Sequence, residues 1–119
     1  MSHLLEDRQK AMFSAYSKRL QGELVTLQLH LGQLGAGGDD DGLREAIRHI
    51  AHRLAGSARL FGFNSLTEPA QTVEILVGSQ ADYLIFKNSV ELLANSVERA
   101  VAQGPADTSA LFQEASTSR

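Results

Sequence analysis

Apolar residues recur along the first third of the chain at the spacing of a packed helix. Successive members are seven, four, three, four and three residues apart, which is the a/d seam of a helix that packs against other helices. The run GAGGDDD at residues 35–41 interrupts the seam. Its glycines suit a helix stop, and its aspartates suit the cap of the next helix. We therefore predict a long first helix over residues 5–34. The seam consists of Phe13, Leu20, Leu24, Leu27, Leu31 and Leu34.

A second amphipathic pattern follows, and it leaves a histidine on its polar side. The apolar positions are three or four residues apart, which marks one buried face of a 3.6-residue helix. At 100° per residue, His52 lies about 200° around this helix from Ile50 and points away from the buried face. Gly56 lies one turn later on the same exposed side. The apolar positions are Leu43, Ile47, Ile50, Ala51, Leu54, Ala58 and Phe61.

Two further helices complete the predicted architecture. Asn64 or Ser65 suits the cap of the third helix, and residues 104–105, Gly-Pro, suit the end of the fourth. We find no alternating run typical of a strand, and the connections are short, so neighbouring helices should be antiparallel. The fold class is therefore all-α. We predict an up-down-up-down four-helix bundle over residues 1–103, with a short extra helix at residues 2–8 and a flexible tail at residues 104–119.

Composition narrows the classes of partner and compartment. The net charge of −3 argues against nucleic acid, because a phosphate backbone requires a basic surface. No apolar run approaches the roughly 20 residues that span a bilayer, and we see no hydrophobic signal region. The chain contains no cysteine, which excludes disulfides and thiolate metal sites. We expect a soluble, cytoplasmic, monomeric protein that binds neither membrane nor nucleic acid.

Arginine residues surround the exposed histidine in sequence. Arg48 precedes His52 by one turn and Arg59 follows it by about two turns, so both should lie on or near the same stripe. Arg53 is adjacent in sequence but is turned about 100° away. Nearby cations lower the pKa of an imidazole, which favours its neutral, nucleophilic form at pH 7. The same cations would attract an anion formed on the ring, and a phosphoryl group is an anion that arginine binds well.

The hairpin between the second and third helices predicts a partner for the imidazole. A turn centred near Phe63 pairs residue i with a residue numbered about 126 minus i on the antiparallel helix. This register places Glu74 level with His52, and Gln71 lies one turn away as the alternative. Either side chain could accept the Nδ1 proton and leave Nε2 as the exposed nucleophile. Glu74 would also raise the pKa of the imidazole, in opposition to the arginines.

A metal site is the competing interpretation of these histidines. Glu45, His49 and His52 occur at i, i+4 and i+7, close enough on one helix to be ligands of one metal ion. The carboxylate-bridged bundles, however, require Glu-x-x-His pairs on facing helices, and the sequence has no such pairs. We therefore expect no metal bound by this chain.

The segment from His52 resembles the signature of a known family. Residues 52–58, HRLAGSA, followed by Gly62, are similar to the H-x-L-K-G-S-A…G pattern of histidine-containing phosphotransfer (Hpt) domains. The resemblance implies that His52 is phosphorylated, that Gly56 gives clearance to a docking receiver domain, and that Ser57 is a helix-packing or hydrogen-bonding position. In this family, the histidine exchanges its phosphoryl group with receiver-domain aspartates.

The resemblance also implies which components the partners supply. The receiver brings the aspartate and Mg²⁺, and a hybrid histidine kinase is a further expected partner. The chain has no glycine-rich nucleotide loop and no length for an ATP-binding domain. We therefore expect a phosphocarrier with no kinase activity of its own.

One position departs from the family pattern. The lysine three residues after the histidine is replaced by Ala55, and Arg48, Arg59 or Arg53 would have to substitute for it. The segment that follows is also more apolar than is typical of the family.

The docking residues that we predict are Ala55, Leu60 and Phe63. For Leu60 and Phe63, filling the end of the bundle is the alternative.

Two alternatives to phosphotransfer remain open from sequence. A helical adaptor or inhibitor could bind a receiver or kinase without carrying phosphate, which the replacement at Ala55 favours. A purely structural bundle could instead oligomerise through its leucine-rich seams.

Overall fold

Four helices form an antiparallel bundle in the computed structural model, which describes residues 2–104. These residues contain no strand, which confirms the predicted all-α class, and sequential helices neighbour one another. The tail predicted at residues 104–119 lies outside the described residues, except for Gly104. The helices are α1 (Ser2–Gly35), α2 (Asp41–Leu60), α3 (Thr67–Gly78) and α4 (Tyr83–Gln103), with a 3₁₀ turn at Asn64–Leu66.

The first helix is longer than the rest of the bundle. At 1.5 Å per residue, its 34 residues span about 51 Å, against about 31 Å for the 21 residues of α4. The hydroxyl of Tyr83, at the start of α4, donates to the carbonyl oxygen of Leu34 at 3.2 Å, so the two helices are level at that end. At the other end, residues 5–12 of α1 are exposed. Residues 2–8 are helical, but they continue α1 and do not form a separate extra helix.

The predicted apolar positions of α1 and α2 lie in the core or pack against it, except Phe13, which is only partly buried and lies outside the core cluster. Each helix contributes residues that are almost completely shielded from solvent, and burying their apolar surface is the main stabilising contribution to the fold. Tyr16 joins this core with 2% of its surface exposed, and it fills the gap between Phe13 and Leu20 in the predicted pattern. The fully buried side chains include Leu20, Leu27, Leu34, Ile47, Leu66, Val73, Phe86, Val90, Leu93 and Val97.

Local hydrogen bonds fix both ends of α2. Asp40 caps the first turn, where its side chain accepts from the amide of Leu43 at 2.7 Å, as the aspartates in the loop predicted. At the other end, the amide of Phe63 donates to the carbonyl oxygen of Ala58 at 2.8 Å, and Gly62 adopts a φ of +79°. This is a Schellman turn, which needs a left-handed residue where Gly62 lies. The chain therefore reverses immediately after α2.

The cap predicted for α3 is wrong. Neither Asn64 nor Ser65 occupies the cap position of this helix. Leu66 precedes α3 instead, in a helical conformation with no side-chain cap bond. The 3₁₀ turn at Asn64–Leu66 leads directly into α3, so the reversal proceeds through a tighter helical turn.

Arg44 connects the loops at the opposite end of the bundle. Its Nε and Nη2 atoms donate to the two carboxylate oxygens of Asp39 at 2.7 and 2.9 Å, and its Nη1 atom donates to the carbonyl oxygen of Ala81 at 2.7 Å. The guanidinium carbon lies 4.6 Å from the centre of the Phe86 ring, a cation–π contact. One side chain thus joins the α1–α2 loop, the α3–α4 loop and the core.

We expect the Asp39–Arg44 pair to make the stability of the fold vary with pH in the acidic range. The hydrogen bond from Arg44 holds the pKa of Asp39 below its usual value of 3.8. The ionised carboxylate therefore stabilises the fold above that pH, and this contribution is lost as pH falls through the lower folded-state pKa. Asp39→Asn should lower the free energy of unfolding at pH 7 by about 1 kcal/mol, and the deficit should shrink at pH 2, as measured by urea denaturation.

Glu98→Gln is the matched control, because Glu98 is exposed and has no ion-pair partner among residues 2–104. It should unfold like the wild type at both pH values. A deficit in Asp39→Asn that is equally large at pH 7 and pH 2 would contradict this account of the pair.

Candidate functional site

The exposed face of α2 presents His52 to solvent. Its side chain is 74% exposed, whereas the neighbouring Ala51 and Leu54 are buried in the core. This arrangement follows from the amphipathic pattern, because residues about 200° apart on a helix lie on nearly opposite sides. The sequence prediction that His52 points away from the bundle is confirmed.

Glu74 on α3 holds the imidazole from one side. Its Oε1 atom lies 2.8 Å from Nδ1 of His52, and its side chain is only 22% exposed. The register predicted from the α2–α3 turn is therefore confirmed, with Glu74 rather than Gln71 at the ring. An ionised carboxylate accepts hydrogen bonds and cannot donate them, so Nδ1 carries the proton. In the neutral form of the ring, Nε2 is then the unprotonated nitrogen, and it belongs to the exposed side chain.

Arg48 lies on the same face but is paired with another residue. Its Nε atom donates to Oε1 of Glu45 at 2.8 Å, and Nη2 donates to the same oxygen. This pairing raises the pKa of Arg48 and lowers the pKa of Glu45, and the charge of Glu74 contributes further to the rise at Arg48. Nε2 of His49 also lies 3.3 Å from Oε1 of Glu45. Glu45 thus holds two basic side chains one to two turns before His52.

The other two arginines of α2 differ in their pairing. Arg53 is turned toward α1, where its guanidinium lies 3.1 Å from Oε2 of Glu23. Arg59 lies exposed in the last turn of α2, and it has no ion-pair or hydrogen-bond partner among residues 2–104. Arg59 is therefore the cation on the His52 side of α2 that remains available to a ligand.

Ser57 connects α2 to α1. Its hydroxyl donates to the carbonyl oxygen of Arg53 at 2.8 Å and lies 2.6 Å from the hydroxyl of Tyr16. Because a serine hydroxyl has one hydrogen, Tyr16 must be the donor in the second bond. Burial raises the pKa of Tyr16, and its ring stacks on Phe61 with centroids 4.4 Å apart. Ser57 thus occupies a hydrogen-bonding position between helices.

The space at Gly56 is open. A Cβ atom added to this residue would meet no atom of residues 2–104 within 4 Å, so packing among these residues does not require glycine here. Glycine is unfavourable in a helix interior by about 1 kcal/mol relative to alanine. Clearance for a molecule outside the chain therefore remains our prediction for Gly56.

The structure corrects two of the three predicted docking residues. Phe63 is 1% exposed and packs against Tyr16 with ring centroids 5.2 Å apart, because the Schellman turn directs it into the bundle. Ala55 is 8% exposed and belongs to the core. Leu60, by contrast, is 82% exposed and stays a candidate for contact with a partner. Phe63 therefore fills the end of the bundle.

Three residues around the site were missed from sequence: Tyr16, Glu23 and Glu45 in its role as an arginine partner. The spacing of Glu45 and Arg48, three residues apart on one helix, is a signal that could have predicted their pairing. Tyr16 and Glu23 lie on α1, and their contacts with Ser57 and Arg53 depend on the relative register of two helices that the sequence pattern does not specify.

The described residues do not assemble a metal centre. No group of three or more histidine, aspartate or glutamate side chains in residues 2–104 is arranged to hold a metal ion. Glu45 contacts Arg48 and His49, while the ring of His52 turns to Glu74. Within the same residues, no helix combines the length and the hydropathy that crossing a membrane requires.

Comparison with known protein families gives a match for this chain. A family model described as "Hpt domain" matches residues 11–103, which include all four helices except the first turns of α1. The searches of curated proteins and of solved structures returned no match.

We expect the carboxylate of Glu74 to determine the tautomer of His52. Glu74→Ala removes the acceptor, so the ring of His52 should become a mixture of Nδ1–H and Nε2–H forms. Glu74→Gln should retain the Nδ1–H form, because the amide oxygen can still accept. Nitrogen-15 chemical shifts of the labelled histidines at pH 8 distinguish the two forms.

Gln71→Ala is the control for the tautomer measurement, since Gln71 is exposed on the same helix. It should leave the ring shifts of His52 unchanged. Identical shifts in Glu74→Ala and the wild type would show that the hydrogen bond does not select the tautomer.

Proposed function

The chain belongs to the Hpt domain family, and we propose that Nε2 of His52 is the atom that carries the phosphoryl group, relaying it from one receiver-domain aspartate to another. Hpt domains act in histidine phosphotransfer in two-component systems, with receiver and kinase proteins as partners, and they are phosphocarriers rather than kinases.

The hydrogen bond between Nδ1 of His52 and Glu74 carries the proposal. With the proton on Nδ1, the lone pair of Nε2 can attack the phosphorus of an aspartyl phosphate. The N–P bond forms as the P–O bond to the aspartate breaks, and the aspartate leaves as a carboxylate with the electron pair. Positive charge then develops on the ring, and the Glu74 carboxylate at 2.8 Å stabilises it. The return step to a second receiver aspartate reverses these bond changes.

The partner would supply the remaining chemistry. Phosphoryl transfer depends mainly on positioning and on neutralising the phosphoryl charge. In our proposal, the receiver contributes its aspartate and a bound Mg²⁺, and α2 contributes a rigid nucleophile. The open space at Gly56 admits the receiver surface next to His52, and the exposed Leu60 offers it an apolar contact. We propose a cytoplasmic monomer in this role.

His52→Gln should abolish labelling of the protein by a phosphorylated receiver. The wild type, incubated with a panel of receiver domains carrying radiolabelled aspartyl phosphate, should acquire a label that is acid-labile and base-stable. His49→Gln is the matched control, because His49 is also exposed on α2 but contacts Glu45 instead of Glu74. It should be labelled to within about twofold of the wild type, as expected for a surface change away from the reacting atoms. Labelling that persists in His52→Gln would exclude His52 as the site.

A second function is favoured by one observation, the buried Ala55 at the position where the family pattern has lysine. The protein would then bind a receiver or kinase as an adaptor or inhibitor without carrying phosphate. In that case His52→Gln would bind and signal like the wild type. Gly56→Glu would abolish binding, because its side chain would occupy the open space. Loss of phosphotransfer in His52→Gln with unchanged receiver binding distinguishes the phosphocarrier from the adaptor.

A further inference from the structure

A phosphoryl group on Nε2 of His52 would be an anion on an exposed helix face, and a cationic side chain of α2 close to it would stabilise it. The family pattern would place a lysine at position 55, but the residue there is Ala55, 8% exposed and within the core. Position 55 therefore provides no cationic side chain for the phosphoryl oxygens. The question is therefore which of the three arginines near His52 takes this role.

Arg48 and Arg53 are each committed to a carboxylate away from Nε2. Arg48 donates twice to Glu45, which lies nearer the start of α2 than Arg48 itself. Arg53 contacts Glu23 on α1 at 3.1 to 3.3 Å. Binding a phosphoryl group on His52 would require either arginine to leave its carboxylate.

Arg59 is placed to reach the phosphoryl group without breaking an ion pair. It follows His52 by seven residues, which corresponds to about 10.5 Å along the axis and about 20° around it. Long side chains on a helix lean toward its N-terminus, so Arg59 leans toward His52, whereas Arg48 leans away from it. Arg59 has no partner among residues 2–104, and it is exposed.

Gly56 leaves the path between the two residues clear. It lies one turn after His52 and just under one turn before Arg59, on the same side of α2. Within the described part of the chain, a Cβ atom at this position would contact nothing within 4 Å, and the small Ala55 beside it is buried. An arginine side chain can therefore lie along the helix surface across Gly56.

We propose that the guanidinium of Arg59 extends across Gly56 and hydrogen-bonds the phosphoryl oxygens on Nε2 of His52. Arg59 thereby replaces the lysine that the family pattern has at position 55. Gly56 leaves room for the Arg59 side chain as well as for an approaching receiver. A planar guanidinium suits this contact because two of its N–H groups can bind two phosphoryl oxygens. The inference rests on the proposed function, since it requires phosphorylated His52.

The test uses the isolated protein, so that docking of a receiver cannot affect the result. Phosphoramidate, a small-molecule donor that phosphorylates histidine, loads the wild type and each variant. Phosphorus-31 NMR then follows the second ionisation of the phosphoryl group against pH. A nearby cation favours the dianion, so Arg59→Ala should raise the titration midpoint, by about two- to fivefold in proton affinity for an exposed ion pair. Arg59→Lys should restore part of the wild-type value.

Two variants on the same helix sharpen the result. Gly56→Leu should raise the midpoint as Arg59→Ala does, because its side chain obstructs the path. Arg53→Ala should titrate like the wild type. A wild-type midpoint in Arg59→Ala, or a larger shift in Arg48→Ala than in Arg59→Ala, would overturn the assignment. Failure of the proposed function is distinct: the receiver would then label His52→Gln as it labels the wild type, or it would not label the wild type at all.

Discussion

The register between α2 and α3 determines which side chains surround His52. A shift of one residue between these helices would rotate Glu74 away from Nδ1, and the bond of 2.8 Å would be lost. The Schellman turn at Gly62 and Phe63 fixes this register at one end, since it reverses the chain at a defined residue. Arg44 holds the opposite end through Asp39 and Ala81. The imidazole of His52 is thus positioned by contacts that lie about two to three helical turns away from it.

Ion pairs and hydrogen bonds give the polar residues of α2 different roles. Glu45 holds Arg48, and Glu23 holds Arg53, so neither arginine competes with the imidazole for Glu74. The hydroxyl of Ser57 is engaged with Tyr16 and with the backbone of Arg53, which anchors α2 against α1. His52 is thereby left with one fixed contact through Nδ1. The proposed transfer between two partner carboxylates would use an imidazole held in one orientation.

The sequence predicted those parts of the fold that follow from periodicity along one helix. The apolar seam of α1, the Asp40 cap and the outward direction of His52 all follow from spacing within a single segment. The pairing of His52 with Glu74 was also predictable, because the α2–α3 turn is tight enough to count residues across it. The predicted seam does not include Tyr16, because it leaves seven residues between Phe13 and Leu20, a gap in which the helical period requires a further core position.

The predictions that fail from sequence concern residues whose surroundings depend on a local turn or on a second helix. Phe63 was predicted to contribute to docking, but the left-handed conformation of Gly62 turns its side chain into the core. The contact of Arg53 with Glu23 depends on the register between α1 and α2, and no tight turn defines that register in the sequence. Predicting whether a residue beside a helix end is exposed therefore requires the geometry of the turn. The spacing of hydrophobic residues does not provide that geometry.

The central claim is that Nε2 of His52 carries the phosphoryl group while Nδ1 keeps its proton against Glu74. NMR of the phosphorylated protein, labelled with nitrogen-15 in its histidines, reports which ring nitrogen is bonded to phosphorus. We predict a single phosphorylated ring, that of His52, with phosphorus on Nε2 and a proton on Nδ1. Phosphorus on Nδ1 of His52, or on the ring of another histidine, would contradict the account.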